Sequence, residues 1–174
     1  MPARQLVLLT GEVDSGKTSW CLAYVQAHPG CDGVLLQKVF RGGRRGGRRV
    51  GYDAQRIASG SRVPFARRVG AELAGWREAE RVGEFSVSAS GKRRANRWLL
   101  EALSRVPRTL IVDEIGPLEL AGGGLAESLG PVLAEGRGPP GGELILVVRR
   151  RCLTQVVERF GLRGCRLIEL PARH

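Results

Sequence analysis

The sequence predicts an α/β fold with a mainly parallel central sheet, and three observations carry that expectation. The short apolar run at 6–9 leads through a glycine-bounded loop into Trp20, Cys21, Tyr24 and Val25, which recur at helical spacing. A second apolar run, at 109–112, stops at the acidic pair Asp113-Glu114. A third, at 144–148, is uninterrupted aliphatic sequence and reads as another buried strand.

The first of these units contains the most informative stretch. Gly11-Glu12-Val13-Asp14-Ser15-Gly16-Lys17-Thr18 fits the G-x-x-x-x-G-K-S/T spacing of a phosphate-binding loop. Gly11 and Gly16 let the backbone curl so that its N–H groups converge on an anion. Lys17 carries charge to the outer phosphates, and the Thr18 hydroxyl can ligate Mg²⁺. The helix expected from about residue 17 turns its unsatisfied N–H groups to the same point. The candidate nucleotide-binding set is therefore Gly11, Glu12, Val13, Asp14, Ser15, Gly16, Lys17, Thr18 and Ser19. Glu12 and Asp14 are unusual beside a polyanion and are expected to point outward.

Further along, Pro29-Gly30 ends the helix and 32–36 reads as a strand. The doubled Gly-Gly-Arg-Arg unit at 41–49 is expected to be an exposed, flexible loop: a solvated hairpin tip, an arginine-bearing lid over phosphates, or a patch for nucleic acid. No aromatic residue lies between Phe40 and Tyr52 to support the last of these. Strands are expected at 50–57 and 83–89, with a polar, arginine-rich connector containing Pro64 between them. Residues 37–90 thus read as an irregular, hairpin-bearing insertion within a single domain, 1–174. Residues 95–106 place Trp98, Leu99, Ala102 and Leu103 on one helical face, and Pro107 follows.

The strand at 109–112 brings Asp113 and Glu114 to its carboxyl end, the edge at which open α/β sheets bind ligands. Asp113 is expected to complete the Mg²⁺ shell with Thr18, and Glu114 to take the proton of an attacking water. Lys17 and Glu114 are the candidate catalytic residues. Gly122-Gly123-Gly124 is a joint before a helix at 125–135, and 136–142 is a loop. Arg149-Arg150-Arg151 offers either a cis arginine finger or a solvated helix start. A helix to about residue 160 and a last strand at 166–170 complete the pattern.

Composition bounds the rest. With 174 residues, 43% of them hydrophobic, the chain can bury one core. Its formal net charge of +11, almost entirely arginine, suits anionic partners. Nucleic acid is one such partner, but it is not favoured as the main one. Cys21, Cys31, Cys152 and Cys165 are too far apart for a Cys-x-x-Cys site and read as small core residues in a reducing compartment. No apolar run approaches the 18 or so residues of a membrane span, and the N-terminal run is too short for a secretory signal. A cytoplasmic monomer, with no membrane partner, is expected.

At Val112-Asp113-Glu114-Ile115-Gly116-Pro117-Leu118-Glu119-Leu120 the chain resembles the P-loop nucleoside-triphosphatase family first described from thermophiles, whose animal member is called cancer-related nucleoside-triphosphatase. That family joins an N-terminal phosphate loop to an Asp-Glu-Ile-Gly-x-x-Glu-Leu segment. Gly46-Gly47-Arg48-Arg49-Val50-Gly51-Tyr52-Asp53 and Arg81-Val82-Gly83-Glu84-Phe85-Ser86-Val87 resemble two further family segments. The resemblance implies a RecA-like three-layer sandwich with a β-hairpin insertion. It also implies slow, Mg²⁺-dependent hydrolysis of ATP, GTP and other nucleoside triphosphates to diphosphate and phosphate. Lys17, Thr18, Asp113 and Glu114 fall on matching functional positions; Glu119 also matches, either orienting Glu114 or a water, or capping a helix. Family members often continue into a helix with an Asn-Arg pair near the base, whereas here Leu170-Pro171-Ala172-Arg173-His174 follows the last strand, and low base specificity is expected. Two other readings of the residues stay open: a nucleotide or small-molecule kinase using the same loop, and a nucleotide-switched RNA-binding module.

Overall fold

The apolar run at the start of the chain becomes β1 (Gln5–Gly11), and the phosphate-loop segment leads from it into α1 (Lys17–Ala27). This computed structural model describes residues 5–135 and 142–173, so the loop expected at 136–142 lies almost wholly outside the described residues. After α1 come β2 (Cys31–Arg41), β3 (Arg48–Arg56), β4 (Arg62–Arg68), β5 (Glu78–Val82), β6 (Phe85–Ser88) and α2 (Ala89–Ser104). The second half holds β7 (Thr109–Ile115), α3 (Pro117–Leu120), α4 (Ala126–Glu135), β8 (Glu143–Arg149), α5 (Leu153–Phe160) and β9 (Arg166–Leu170).

All the described strands join one sheet in the order β5-β6-β4-β3-β2-β7-β8-β1-β9. From β2 to β9 the neighbours are parallel. From β2 to β5 they are antiparallel. The sheet is therefore mixed, and the expectation of a mainly parallel sheet holds for only one half of it. Side chains alternate across the parallel half: Leu8, Leu110, Leu144, Leu146 and Val148 face the core beneath α2, α4 and α5. Val7, Leu9, Ile111, Ile145 and Val147 face the core on which Cys21 of α1 packs. Helices thus cover both faces, giving three layers.

Residues 37–90 are more regular than the sequence suggests. They extend β2 and add β3 to β6 to the same sheet. The Arg-rich connector hides β4, whose Pro64 breaks the usual strand signature. Proline is tolerated because pairing with β6 begins only at Ala66, so no β6 strand hydrogen bond needs an N–H at Pro64. The strand expected at 83–89 is shorter, since Ser88 caps α2 by accepting from the Gly91 N–H at 3.1 Å. That cap also explains why α2 starts well before residue 95. Buried Arg56 on β3 ties the two halves together, pairing with Asp32 at 3.2 Å and with Glu101 of α2 at 2.5 Å. Asp53 of the family-like hairpin segment is taken up structurally, held by Arg67 of β4 at 2.6 Å. No helix among the described residues is long and apolar enough to cross a membrane.

Two features set the exit of β7. Gly33 sits at φ +131 where β2 passes β7, and a Cβ there would lie 2.0 Å from the Ile111 carbonyl oxygen. Glu119, buried in the short α3 that the sequence did not reveal, accepts from the N–H of Gly116 at 2.9 Å and of Leu125 at 3.1 Å. It is a cap and a brace for the chain after Glu114, in keeping with the helix-capping role considered for it. Burial raises its carboxyl from 4.5 to about 7, with the Glu114 charge adding to the effect.

Gly33→Ala is expected to destabilise the fold by about 2–4 kcal/mol in chemical denaturation, because both the φ angle and the contact exclude a methyl group. Glu119→Ala, which leaves two N–H groups without acceptors, should cost about 1–3 kcal/mol for each of them. The folded chain retains a Glu119 proton that the unfolded chain releases between about pH 4.5 and 7, so this group's contribution to stability falls as pH rises through that window. Denaturation of Glu119→Gln across the same pH range should show a flatter dependence.

Candidate active site

The parallel register brings three strand ends level. Gly11 of β1 lies beside Arg149 of β8, and Asp113 of β7 lies beside Val147. The loop after β1 therefore faces the acidic end of β7 across one intervening strand. Left-handed backbone at Asp14 (φ 62) and Gly16 (φ 91) makes the loop curl, and Ser15 N–H closes the turn on the Glu12 carbonyl at 3.1 Å. The helix α1 starts at Lys17 with no side-chain cap, so its first N–H groups remain available to an anion.

The residues singled out in the sequence largely converge. A cavity of about 700 Å³ is lined by every loop residue from 11 to 19 except Ser15, and by Asp113 and Glu114. Ser15 departs from expectation: its side chain is buried and its Oγ sits where a Cβ on Gly11 would come within 2.4 Å. It shapes the loop from beneath. Lys17 is only 7% exposed, and its ammonium donates to the carbonyls of Gly11 at 3.1 Å and Glu12 at 3.0 Å. Glu12 and Asp14 are exposed but both line the cavity, each beside a cation: Glu12 near Arg150 at 3.4 Å, and Asp14 with Lys38 and, at 3.9 Å, Arg49. The hydrogen bond from Lys38 holds the Asp14 carboxyl below its ordinary value of 3.8.

Thr18 donates to Asp113 Oδ2 at 2.9 Å, which joins the loop to the acidic strand end. The same oxygen accepts from the Leu36 N–H at 3.3 Å, while Asp113 Oδ1 is buried with no partner among the described residues. Burial, reinforced by the Glu114 charge, pushes the Asp113 carboxyl up to about 7. A buried carboxylate oxygen without a donor, next to a hydroxyl, is the chemistry a hard cation completes. Among the described residues no group of three His, Cys, Asp or Glu side chains forms a cage. A cation held by Thr18 and Asp113 would therefore draw its other ligands from water and phosphate oxygens.

Glu114 is ion-paired with Arg149, and both line the cavity. Of the arginine triplet, Arg149 is thus committed to the candidate base, Arg150 pairs with Glu12 and Glu169, and Arg151 lines the cavity. The glycine-arginine segment forms the tight turn between β2 and β3, and Arg44 and Arg49 from it line the cavity. Sequence reasoning missed these pairings, because each joins positions far apart in the chain. It also missed Arg173, whose guanidinium lies so close to the loop that a Cβ on Gly16 would fall 2.4 Å from Nη2.

Comparison with known proteins bears on the family and the fold. The profile of the family described as NTPase matches residues 6–172. Nucleoside-triphosphatase THEP1 of Methanopyrus kandleri is 34% identical over 118 residues, 66% of this chain and 59% of that protein, so the chain spans about three fifths of that relative's length. The crystal structure of THEP1 from the hyperthermophile Aquifex aeolicus superposes with a TM-score of 0.71 at 20% identity, covering 96% of this chain and 90% of the other. The solution structure of a human cancer-related nucleoside triphosphatase gives a TM-score of 0.62 at 26% identity, over 96% and 88% of the two chains. With the family profile spanning nearly all of it, the chain belongs to the NTPase family.

Proposed function

We propose that the protein is a Mg²⁺-dependent nucleoside triphosphatase that hydrolyses ATP, GTP and related triphosphates to diphosphate and phosphate with low base specificity. The observation that carries this reading is the Thr18–Asp113 hydrogen bond of 2.9 Å, with Asp113 Oδ1, which has no partner among the described residues, and the Glu114 carboxylate beside it in one cavity. Family membership and the M. kandleri relative named a nucleoside-triphosphatase point the same way.

In this mechanism the loop N–H groups and Lys17 bind the β- and γ-phosphates, and Lys17 exchanges its loop carbonyls for phosphate oxygens. Thr18 and Asp113 would hold Mg²⁺, which would supply charge neutralisation on the phosphates. A water oxygen attacks the γ-phosphorus and the bond to the β–γ bridging oxygen breaks. The diphosphate leaves with the electron pair, and Glu114 takes the proton of the attacking water. Arg149 positions Glu114 beforehand through their ion pair and releases it as the carboxylate accepts the proton.

Phosphate release should be measured across a panel of triphosphates with and without Mg²⁺. Turnover of several bases that stops on chelation is the expected result, and a single accepted base or metal-independent turnover contradicts the reading. Lys17→Ala should weaken triphosphate binding by about tenfold or more in calorimetric titration, since it removes the charge nearest the outer phosphates. Glu114→Gln should bind triphosphate like the parent while kcat falls about 10²- to 10⁴-fold. A Gln variant that turns over at the parent rate removes Glu114 as the base.

A further inference from the structure

The candidate cavity is larger and more aromatic than the attack of a water requires. Beyond Glu114, on the side away from β1, it is walled by the antiparallel half of the sheet: Phe40 of β2, Tyr52 of β3 and Phe85 of β6. Tyr52 and Phe85 meet edge to face, with ring centroids 5.5 Å apart and planes at 60°. The β2–β3 register shifts between Val39 and Phe40, and the β3–β4 register shifts between Tyr52 and Asp53. Such irregularities re-aim side chains next to functional sites, and here each falls beside a ring of the wall.

Cations accompany the rings. The Arg49 guanidinium lies 5.5 Å from the Tyr52 centroid and 6.0 Å from that of Phe85, and its buried Nε has no acceptor among the described residues. Its nearest carboxylate is Asp14 at 3.9 Å, already engaged by Lys38. Arg44 from the same turn also lines the cavity. An aromatic wall with under-neutralised arginines is complementary to a flat ring that carries an anionic group. A volume of about 700 Å³ falls within the range of small-molecule pockets. By the proposed reading of the site, a triphosphate seated in the loop would have its terminal phosphate at Lys17, Thr18 and Glu114, which line the same cavity as this wall.

We propose that the aromatic wall is a second substrate site that binds a nucleoside monophosphate and presents its phosphate to the γ-phosphate of the triphosphate, so that the protein transfers a phosphoryl group as well as hydrolysing. The base rests on Tyr52 and Phe85, and Arg49 and Arg44 neutralise the acceptor phosphate. An oxygen of the dianionic monophosphate attacks the γ-phosphorus, and the bond to the β–γ bridging oxygen breaks. Its electron pair leaves with the first diphosphate. Both products are nucleoside diphosphates, and the nucleophile carries no proton to be removed. This proposal rests on the reading of the loop and acidic strand end as a triphosphate site, and it adds the class of acceptor.

The test uses the full chain with γ-³²P-labelled ATP, Mg²⁺ and AMP, GMP, CMP or UMP in turn, separating labelled nucleoside diphosphate from labelled inorganic phosphate. Label should enter the diphosphate made from at least one monophosphate. Tyr52→Ala and Phe85→Leu should each lower that transfer about tenfold or more, by loss of the stacking surface. Acceptor-free phosphate release should stay within about twofold of the parent in both variants, which also shows that they fold. Tyr52→Phe keeps the ring and should retain transfer. Label found only in inorganic phosphate with all four monophosphates overturns the acceptor site and leaves the hydrolase reading standing. Transfer at the parent rate in both ring-deleted variants overturns it as well. Label entering a diphosphate without acceptor-free phosphate release supports the acceptor site and removes the hydrolase reading instead.

Discussion

A carboxylate buried at the end of one strand and held by a hydroxyl from the loop of another is the interaction on which this molecule turns. Asp113 is 1% exposed, and such a group is tolerated only where donors or a cation meet its charge. Thr18 and the Leu36 N–H supply two donors to one oxygen and none to the other. The arrangement exists because β8 separates β1 from β7 and all three run parallel in register. Shifting β8 by a residue would turn its core side chains to the wrong face. The aliphatic pattern that builds the core therefore also sets the distance between loop and acid.

Around that centre, opposite charges are consistently placed together. Glu12, Asp14 and Glu114 would repel a polyanion, yet each stands beside a basic side chain: Arg150, Lys38 and Arg149 respectively. The excess of arginine thus has a local meaning at this end of the sheet as well as a global one. It sets the field around the cavity, where opposite charge raises the encounter rate of an anion. The two exposed ion pairs are screened by water and contribute little to stability. Their effect lies in setting cations beside carboxylates that line the cavity.

The antiparallel half of the sheet gives the cavity its far wall. A strand that is parallel on one side and antiparallel on the other, as β2 is, carries the sheet beyond its parallel half. Its neighbours contribute rings and arginines where parallel strands would end in short loops. Glu119 and Gly33 hold the junction, the first by satisfying backbone donors and the second by leaving room for a carbonyl.

Local signals in the sequence were enough for the strand–loop–helix unit, the aliphatic strands of the parallel half and the acidic pair at the end of β7, because glycine spacing, helical period and unbroken apolar runs act over a few residues. The strands β4 and β5 escaped notice: their arginines and glutamates carry no apolar alternation, and long-range pairing, not propensity, makes them strands. The short α3 was hidden for a similar reason, since a single helical turn closed by a buried carboxylate leaves no periodic trace. Lys17, Thr18, Asp113 and Glu114 could be named from their motifs alone, and so could the family they resemble. That Thr18 meets Asp113, that Arg149 and not a free carboxylate faces the cavity with Glu114, and that Tyr52 and Phe85 wall it off were decided by tertiary structure. Each of those contacts joins residues dozens of positions apart, and strand order, which no local spacing encodes, is what brings them together.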